Sequence, residues 1–349
     1  MATATADRRG YGRLFLGVGL TVVLFGGLAL TLDVRAIGRA LAGADLAVVA
    51  LAATASLFAQ LCWSLTTAAI LSGVDGSLPR RRVQLGYLPG TFGKQVLPLG
   101  NVGGAAILAY VIAEDLDRRF RDVFAAVTAS ELLVFAGSIG VALLGLAASL
   151  ANPATGAPAW VVFGLLIGAV LVLVGGGALL AYRRHFVATL VERTAALLRA
   201  TVGRVSVRVR RSLAPSRVAT GTTAFLDAFG AATGDTRRVL VASTLAVAGW
   251  LSFSVALLLG FGAVDAALPL GFALFLAPAS GVATLLPTPG GLGSTEVGLT
   301  GVVVLTTAMS PEVAAAGVIV YRLVTYWLVV TVGGLASLYL SATVWQALK

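Results

Sequence analysis

The sequence predicts an all-α integral membrane protein, with about six full transmembrane helices plus two re-entrant broken-helix elements in an inverted-topology repeat. Three observations carry this. Charged residues make up 11% of the 349 and apolar residues 58%. A soluble domain carries roughly 25% charge, so too little is present to cover a water-facing surface. Apolar runs repeatedly reach the about 20 residues that span hydrocarbon. Finally, one segment in each half breaks that pattern with the same proline spacing. Composition therefore argues against a water-soluble enzyme, a nucleic-acid-binding domain or a disordered chain, despite a net charge of +10.

Full helices are predicted over residues 12–32, 46–72, 123–150, 159–181, 239–262 and 313–341. The first follows Arg8, Arg9 and Arg13, as a signal peptide would. Its run exceeds the about 7–15 residues of a signal core, and Ala40-Leu41-Ala42 lies too far beyond it to be cut. It reads as a retained helix. Lone Cys62 excludes an internal disulfide, and lone His185, beside Arg183 and Arg184, reads as a solvated surface residue.

Lysine and arginine bias sets orientation in a cell (plasma) membrane. The basic amino terminus is expected in the cytoplasm, and residues 33–45, where Arg35 and Arg39 balance Asp33 and Asp45, outside. Arg80, Arg81 and Arg82 return the chain inside. Segment 183–238 also belongs inside, with eleven arginines against Glu192, Asp227 and Asp235. Only an even number of crossings, or none, between Arg82 and Glu114 keeps both basic regions cytoplasmic. Segment 83–112 is too short for two full helices and too broken for one, so a re-entrant pair of half-helices is expected. An ordinary helix kinked at Pro98 is the alternative.

A shift of 189 residues superposes 83–112 on 274–296, pairing Pro89 with Pro278, Pro98 with Pro287 and Gly104 with Gly293. The units 46–150 and 239–341, joined by 183–238, then run in opposite senses. Paired interrupted segments of this kind point to a midplane binding site. The connector repeats Val187, Leu190, Val191, Leu198, Val202 and Val205 at helical steps, as an amphipathic helix on anionic headgroups does. It interleaves no aromatic residues for stacking, so nucleic acid is not an expected partner.

Four charges fall at membrane depth: Lys94, Glu131, Glu296 and Arg322. A central charge costs about 2.5–3.5 kcal/mol, so these must pair, face water or bind something charged. Glu131 and Arg322 hold nearly equivalent places in the two units. A salt bridge between them is one reading, and contact with a charged ligand or coupling ion is the other. Half-helix amino termini expected at Gly103-Gly104 and Gly290-Gly291 would add N–H donors for an anion. Lys94 and Arg322 would contact a phosphate, and Glu131 and Glu296 would pair with them or carry a proton.

Residues 286–299, LPTPGGLGSTEVGL, followed by VIVYRLVTYWLVVTVGG at 318–334, resemble the carboxy-terminal signature of the flippase-like transmembrane family that includes the lysylphosphatidylglycerol synthase transmembrane region. The matching positions are Pro287, Pro289, Gly290, Gly291, Gly293, Glu296, Arg322, Tyr326 and Trp327. VLPLGNVGG at 96–104 resembles its first turn more loosely, with Ala105, Leu108 and Leu132 where the family usually has an acidic residue and arginines. The resemblance implies movement of lipid across the bilayer. Because the chain ends at Lys349 just after the last helix, lipid aminoacylation by this chain is not expected.

The expected function is translocation of a polar-headed or anionic lipid, or lipid-linked precursor, with membrane lipids as partners. No cofactor, metal or intrinsic enzyme activity is expected, since no nucleophile–base pair or ligand cluster is legible. A proton-coupled transporter of a small polar solute is an alternative. So is a non-transporting partner of a lipid-modifying or glycosyl-transferring enzyme.

Overall fold

The computed structural model describes residues 19–27, 30–74, 76, 80–97, 100–150, 184–201, 213–284, 286 and 288–347. Among these every regular element is helical. Residues 19–27 form a helical stretch, followed by α1 (Val34–Ala42), α2 (Leu46–Leu71), α3 (Arg80–Val96), α4 (Gly100–Leu116) and α5 (Phe120–Leu150). Then come α6 (Arg184–Thr201), α7 (Pro215–Thr233), α8 (Thr236–Gly262), α9 (Leu270–Ala283), α10 (Ser294–Thr306), α11 (Pro311–Arg322) and α12 (Leu328–Ala347). A π-turn, Leu323–Trp327, joins the last two.

Among the described residues four helices are long and apolar enough to span a bilayer: Leu46–Leu71, Phe120–Ser149, Thr236–Gly262 and Pro311–Tyr339. They match four of the six expected spans. The span expected at 159–181 lies outside the described residues, as does part of 12–32.

Helices α2 and α8 lie antiparallel at the centre. Thr66 Oγ1 donates to Ala242 O at 3.3 Å, Trp63 Nε1 to Ala246 O at 3.4 Å, and Ser252 Oγ to Ala55 O at 2.8 Å. One residue number rises as the other falls. The amino end of α2 meets the carboxyl end of α8 where Asp45 N donates to Ala263 O at 2.8 Å. At the other end the Arg238 side chain lies against Gly73.

Segment 80–116 is a helical hairpin rather than one kinked helix. Gly86 faces Ile112, Gly90 faces Leu108 and Gly93 faces Ile107 across it. These glycines, four and three apart, share one face of α3. A Cβ at Gly90 would stand 2.4 Å from Leu108 Cδ1. The hairpin brings Arg82 within electrostatic reach of Asp115, so both its roots lie at the end of the molecule that carries Arg238. Its 17-residue arms are each about 25 Å long at 1.5 Å per residue, longer than half-helices, because helical backbone continues past 83–112 at both ends. Gly103 and Gly104, expected at the turn, sit inside α4, which already begins at Gly100. Pro89 lies within α3 and Pro278 within α9. Pro98 and Pro287 are outside the described residues.

Helices α9 and α10 form a second hairpin, closed near its tip where Ser294 Oγ donates to Ala283 O at 2.8 Å. It is rooted at the end where Asp45 meets Ala263: Phe272, Leu276, Leu299 and Val303 cluster there with Phe261 and Val264. The two hairpins therefore enter the body from opposite ends. Each is clasped by the long helix closing the other half. Gly145 of α5 brings backbone against Gly271 and Phe275 of α9, and Gly333 of α12 meets Leu88 O of α3. A separate apolar cluster, including Val83, Leu108, Ile112 and Val127, surrounds the root of the first hairpin.

Residues 33–45, expected as a plain loop, contain α1. Asp33 caps it, accepting from Arg35 N and Ala36 N at 2.9 and 3.2 Å, and Ile37 packs on Ala315 and Ala316. Among its described residues the connector holds two helices, where one amphipathic helix was expected. α7 joins the body through a Phe225–Phe124 ring contact at 5.6 Å, while Leu190 and Val191 of α6 stay exposed. Val187 and Leu198 lie within α6, and Val202 and Val205 lie outside the described residues.

Candidate functional site

The tip of the second hairpin is built around two charges. Gly293 N donates to Glu296 Oε2 at 2.7 Å, so this carboxylate caps α10 and stabilises its positive amino end. Its other oxygen, Oε1, accepts Arg322 Nε at 2.8 Å. Arg322 also donates through Nη2 to Gly290 O at 2.9 Å and lies 4.6 Å from the centroid of the Tyr326 ring. Two of the five guanidinium N–H donors and one of its flat faces are thereby engaged. Pro-Gly-Gly follows from this packing: Gly290 has φ 54°, and a Cβ there would fall 2.0 Å from Tyr326 Cε2. No side chain fits. Gly293, with φ 81°, leans on Leu24 of the first helical stretch.

The first hairpin supplies the other pair. Lys94, in the last turn of α3, donates through Nζ to Glu131 Oε2 of α5 at 2.6 Å. Gly104 makes room for the lysine stem, since a Cβ there would stand 2.7–2.8 Å from Lys94 Cγ, Cδ and Cε. Tyr87 lies within the electrostatic reach of Glu131. This pair is wetter: side-chain exposures are 23% and 29%, against 10% and 4% for Arg322 and Glu296.

The hairpin tips meet where Gln95 O lies 3.0 Å from the position a Gly290 Cβ would take. Beside them is a cavity of about 270 Å³ bordered by Lys94, Glu131, Gly290 and Arg322. Part of the lining is aromatic: Trp63 meets Trp250 at 5.1 Å and Phe253 at 5.2 Å in tilted contacts, and Phe253 meets Tyr321 at 5.6 Å. Both indole N–H groups are spent on backbone, Trp63 on Ala246 O and Trp250 on Val134 O at 2.7 Å. The lining also carries Gln60, Thr91, Ser280, Thr284, Thr295 and Thr325. Behind Arg322 and Glu296 lies a second, mainly apolar cavity of about 350 Å³, lined by Phe25, Leu46, Val49, Ile319 and Trp327.

All four sequence-selected charges thus gather at the hairpin tips, and Glu131 and Glu296 pair with Lys94 and Arg322, while a bridge between Glu131 and Arg322, the other reading, does not form. Each pair instead stays within its own half. Neither hairpin presents a free cation to a phosphate. Freeing Arg322 would strand Glu296, and breaking a buried pair costs about 3–5 kcal/mol. The expected donor site at Gly103-Gly104 is absent because these residues lie within α4. Sequence reasoning missed the aromatic lining and Gln60. Their only signal was polar or aromatic residues inside apolar helices, which core packing also explains. No group of potential metal ligands occurs among the described residues.

No curated protein matches the chain. A family model described as "Lysylphosphatidylglycerol synthase TM region" matches residues 14–333 and so takes in both hairpins, both ion pairs and the cavity between them. The chain therefore belongs to the lysylphosphatidylglycerol synthase transmembrane-region family, a family of membrane domains.

Proposed function

We propose that the protein moves a polar-headed lipid, or lipid-linked precursor, between the leaflets of the plasma membrane along a path past the two hairpin tips, without catalysing a reaction of its own. The observation that carries this reading is the paired chambers: a cavity bordered by charged residues of both ion pairs and a more apolar cavity share Arg322 in their linings, suiting the two ends of an amphiphile. Ligand sites are typically concave, mostly apolar and served by a few convergent polar groups. In this reading units 46–150 and 239–341 are inverted repeats, and their hairpins rock against each other about the cavity. The end carrying Arg80–Arg82 and Arg238 faces the cytoplasm, following the positive-inside rule. Lys94, Glu131, Glu296 and Arg322 contact the headgroup as two neutral pairs, and Pro89 and Pro278 notch the moving arms.

The test is reconstitution in phosphatidylcholine vesicles with a panel of fluorescent lipids of anionic, zwitterionic and glycosylated headgroup. The expected result is faster exchange between leaflets for at least one headgroup, reduced by Glu131→Gln. No acceleration for any headgroup overturns the proposal. Solute-dependent proton flux without lipid movement would favour a secondary transporter instead.

A further inference from the structure

We infer that the cavity between the hairpin tips is a subsite for a neutral, polyhydroxylated headgroup, that is, a sugar-bearing lipid; this rests on the translocation reading and names its substrate class. Charge comes first. The cavity borders two cations and two carboxylates, each already bonded to an opposite partner at 2.6 or 2.8 Å. An anionic headgroup would meet Glu131 and Glu296 beside the cations, and a cationic one Lys94 and Arg322 beside the carboxylates, so either faces a like charge. A polyol faces neither repulsion, and the Lys94–Glu131 pair offers it a donor and an acceptor side by side, as vicinal hydroxyls require.

The lining agrees independently. Gln60 Oε1 and Thr295 Oγ1 are buried and have no hydrogen-bond partner among the described residues. Their residues are 6% and 1% exposed, and both line the cavity. Buried polar atoms are nearly always bonded, so unmatched ones on a cavity wall mark where a ligand's groups belong. Gln60 Oε1 only accepts, which suits an O–H donor, and the Thr295 hydroxyl both donates and accepts. In the same lining, Trp63 and Trp250 have their indole N–H groups spent on backbone and offer aromatic surface, which suits the apolar face of a sugar ring.

Purified full-length protein in phosphatidylcholine nanodiscs is to be offered equal amounts of glucosyl diacylglycerol, phosphatidylglycerol and phosphatidylethanolamine, with retained lipid measured by native mass spectrometry. Glucosyl lipid should be retained in preference to both others. Gln60→Leu and Thr295→Val should each lower that retention about tenfold, the effect of one buried hydrogen bond to ligand. Neither should lower the melting temperature, since each removes an unsatisfied buried group, and Thr295→Ser should keep retention. Preference for the anionic or the amine headgroup overturns the inference, as does unchanged retention in both apolar variants. Sugar-lipid retention without lipid movement in vesicles leaves this inference standing and defeats translocation. Movement and retention that both follow phosphatidylglycerol do the reverse.

Discussion

The two ion pairs occupy matching places in the two halves, yet they are built in opposite senses. In the first half the hairpin carries the cation, Lys94, and the long helix the anion, Glu131. In the second the hairpin carries the anion, Glu296, and the long helix the cation, Arg322. Burial differs as well: the first pair keeps about a quarter of its side-chain surface, while the second is nearly dry. The dry pair is overdetermined, with a helix cap, a backbone carbonyl and an aromatic face all converging on it. The wet pair has one strong bond and a flexible lysine. A buried charge persists only if every donor and acceptor is met, whereas a partly hydrated one keeps the freedom to exchange partners. The second pair therefore reads as the clamp that shapes the hairpin tip, and the first as the one free to respond to a headgroup.

The largest break in that contrast is Arg322→Ala. It strands Glu296 in a dry site, at a cost of about 3–5 kcal/mol. Thermal melting in detergent and folded yield should both fall sharply. Arg322→Lys keeps charge but cannot serve Glu296, Gly290 O and the Tyr326 ring together, so an intermediate loss is expected. Near-normal melting of Arg322→Ala would make the second pair as dispensable as the first.

Gly290→Ala comes next. Its Cβ collides with the Tyr326 ring, and its positive φ suits only glycine well. Left-handed strain of about 1–2 kcal/mol and overpacking of about 1–3 kcal/mol together predict a loss of about 2–5 kcal/mol. Tyr326→Ala in the same chain should recover part of it by removing the collision but not the strain. Equal losses in the single and double variants would refute the ring contact as the cause.

Glu131→Gln is smaller still. The pair is partly exposed, and such pairs contribute up to about 1 kcal/mol. Melting should change little, while lipid exchange falls more than stability does. Should the melting loss equal that of Arg322→Ala, the distinction between clamp and responsive pair would disappear.

These contrasts were only half legible in the sequence. Long apolar spans, proline notches and charges at membrane depth are local properties, so Lys94, Glu131, Glu296 and Arg322 stood out without a fold. Their partners depend on which hairpin arm carries each charge past which helix. Spacing along the chain does not encode that, which is why Glu131 and Arg322 looked like natural partners. Gly103-Gly104 suggested a turn by composition, yet α4 starts earlier, and Gly104 is small because Lys94 lies over it. Gly86, Gly90 and Gly93 were lost among 42 glycines. Their meaning lies in the facing residues of α4 rather than in their own spacing. The π-turn after Arg322 has no composition signature, since it depends on how the helix ladder accommodates Tyr326.

The smallest effect separates two neighbouring glycines and tests the wet pair directly. Gly103 is exposed, with nothing within 4 Å of its would-be Cβ, whereas at Gly104 that atom lies 2.7 Å from Lys94 Cγ. Alanine is favoured over glycine in a helix by about 0.5–1 kcal/mol. Gly103→Ala should therefore raise stability by about that amount. Gly104→Ala should gain little, because the same preference is offset by pushing the lysine stem away from Glu131. In a Lys94→Ala background the offset vanishes, and Gly104→Ala should match Gly103→Ala. A melting series on these four chains measures the coupling as a double-mutant difference. An identical gain at both glycines beside intact Lys94 would mean that the stem is not held against α4, and that the first pair owes nothing to the glycine beneath it.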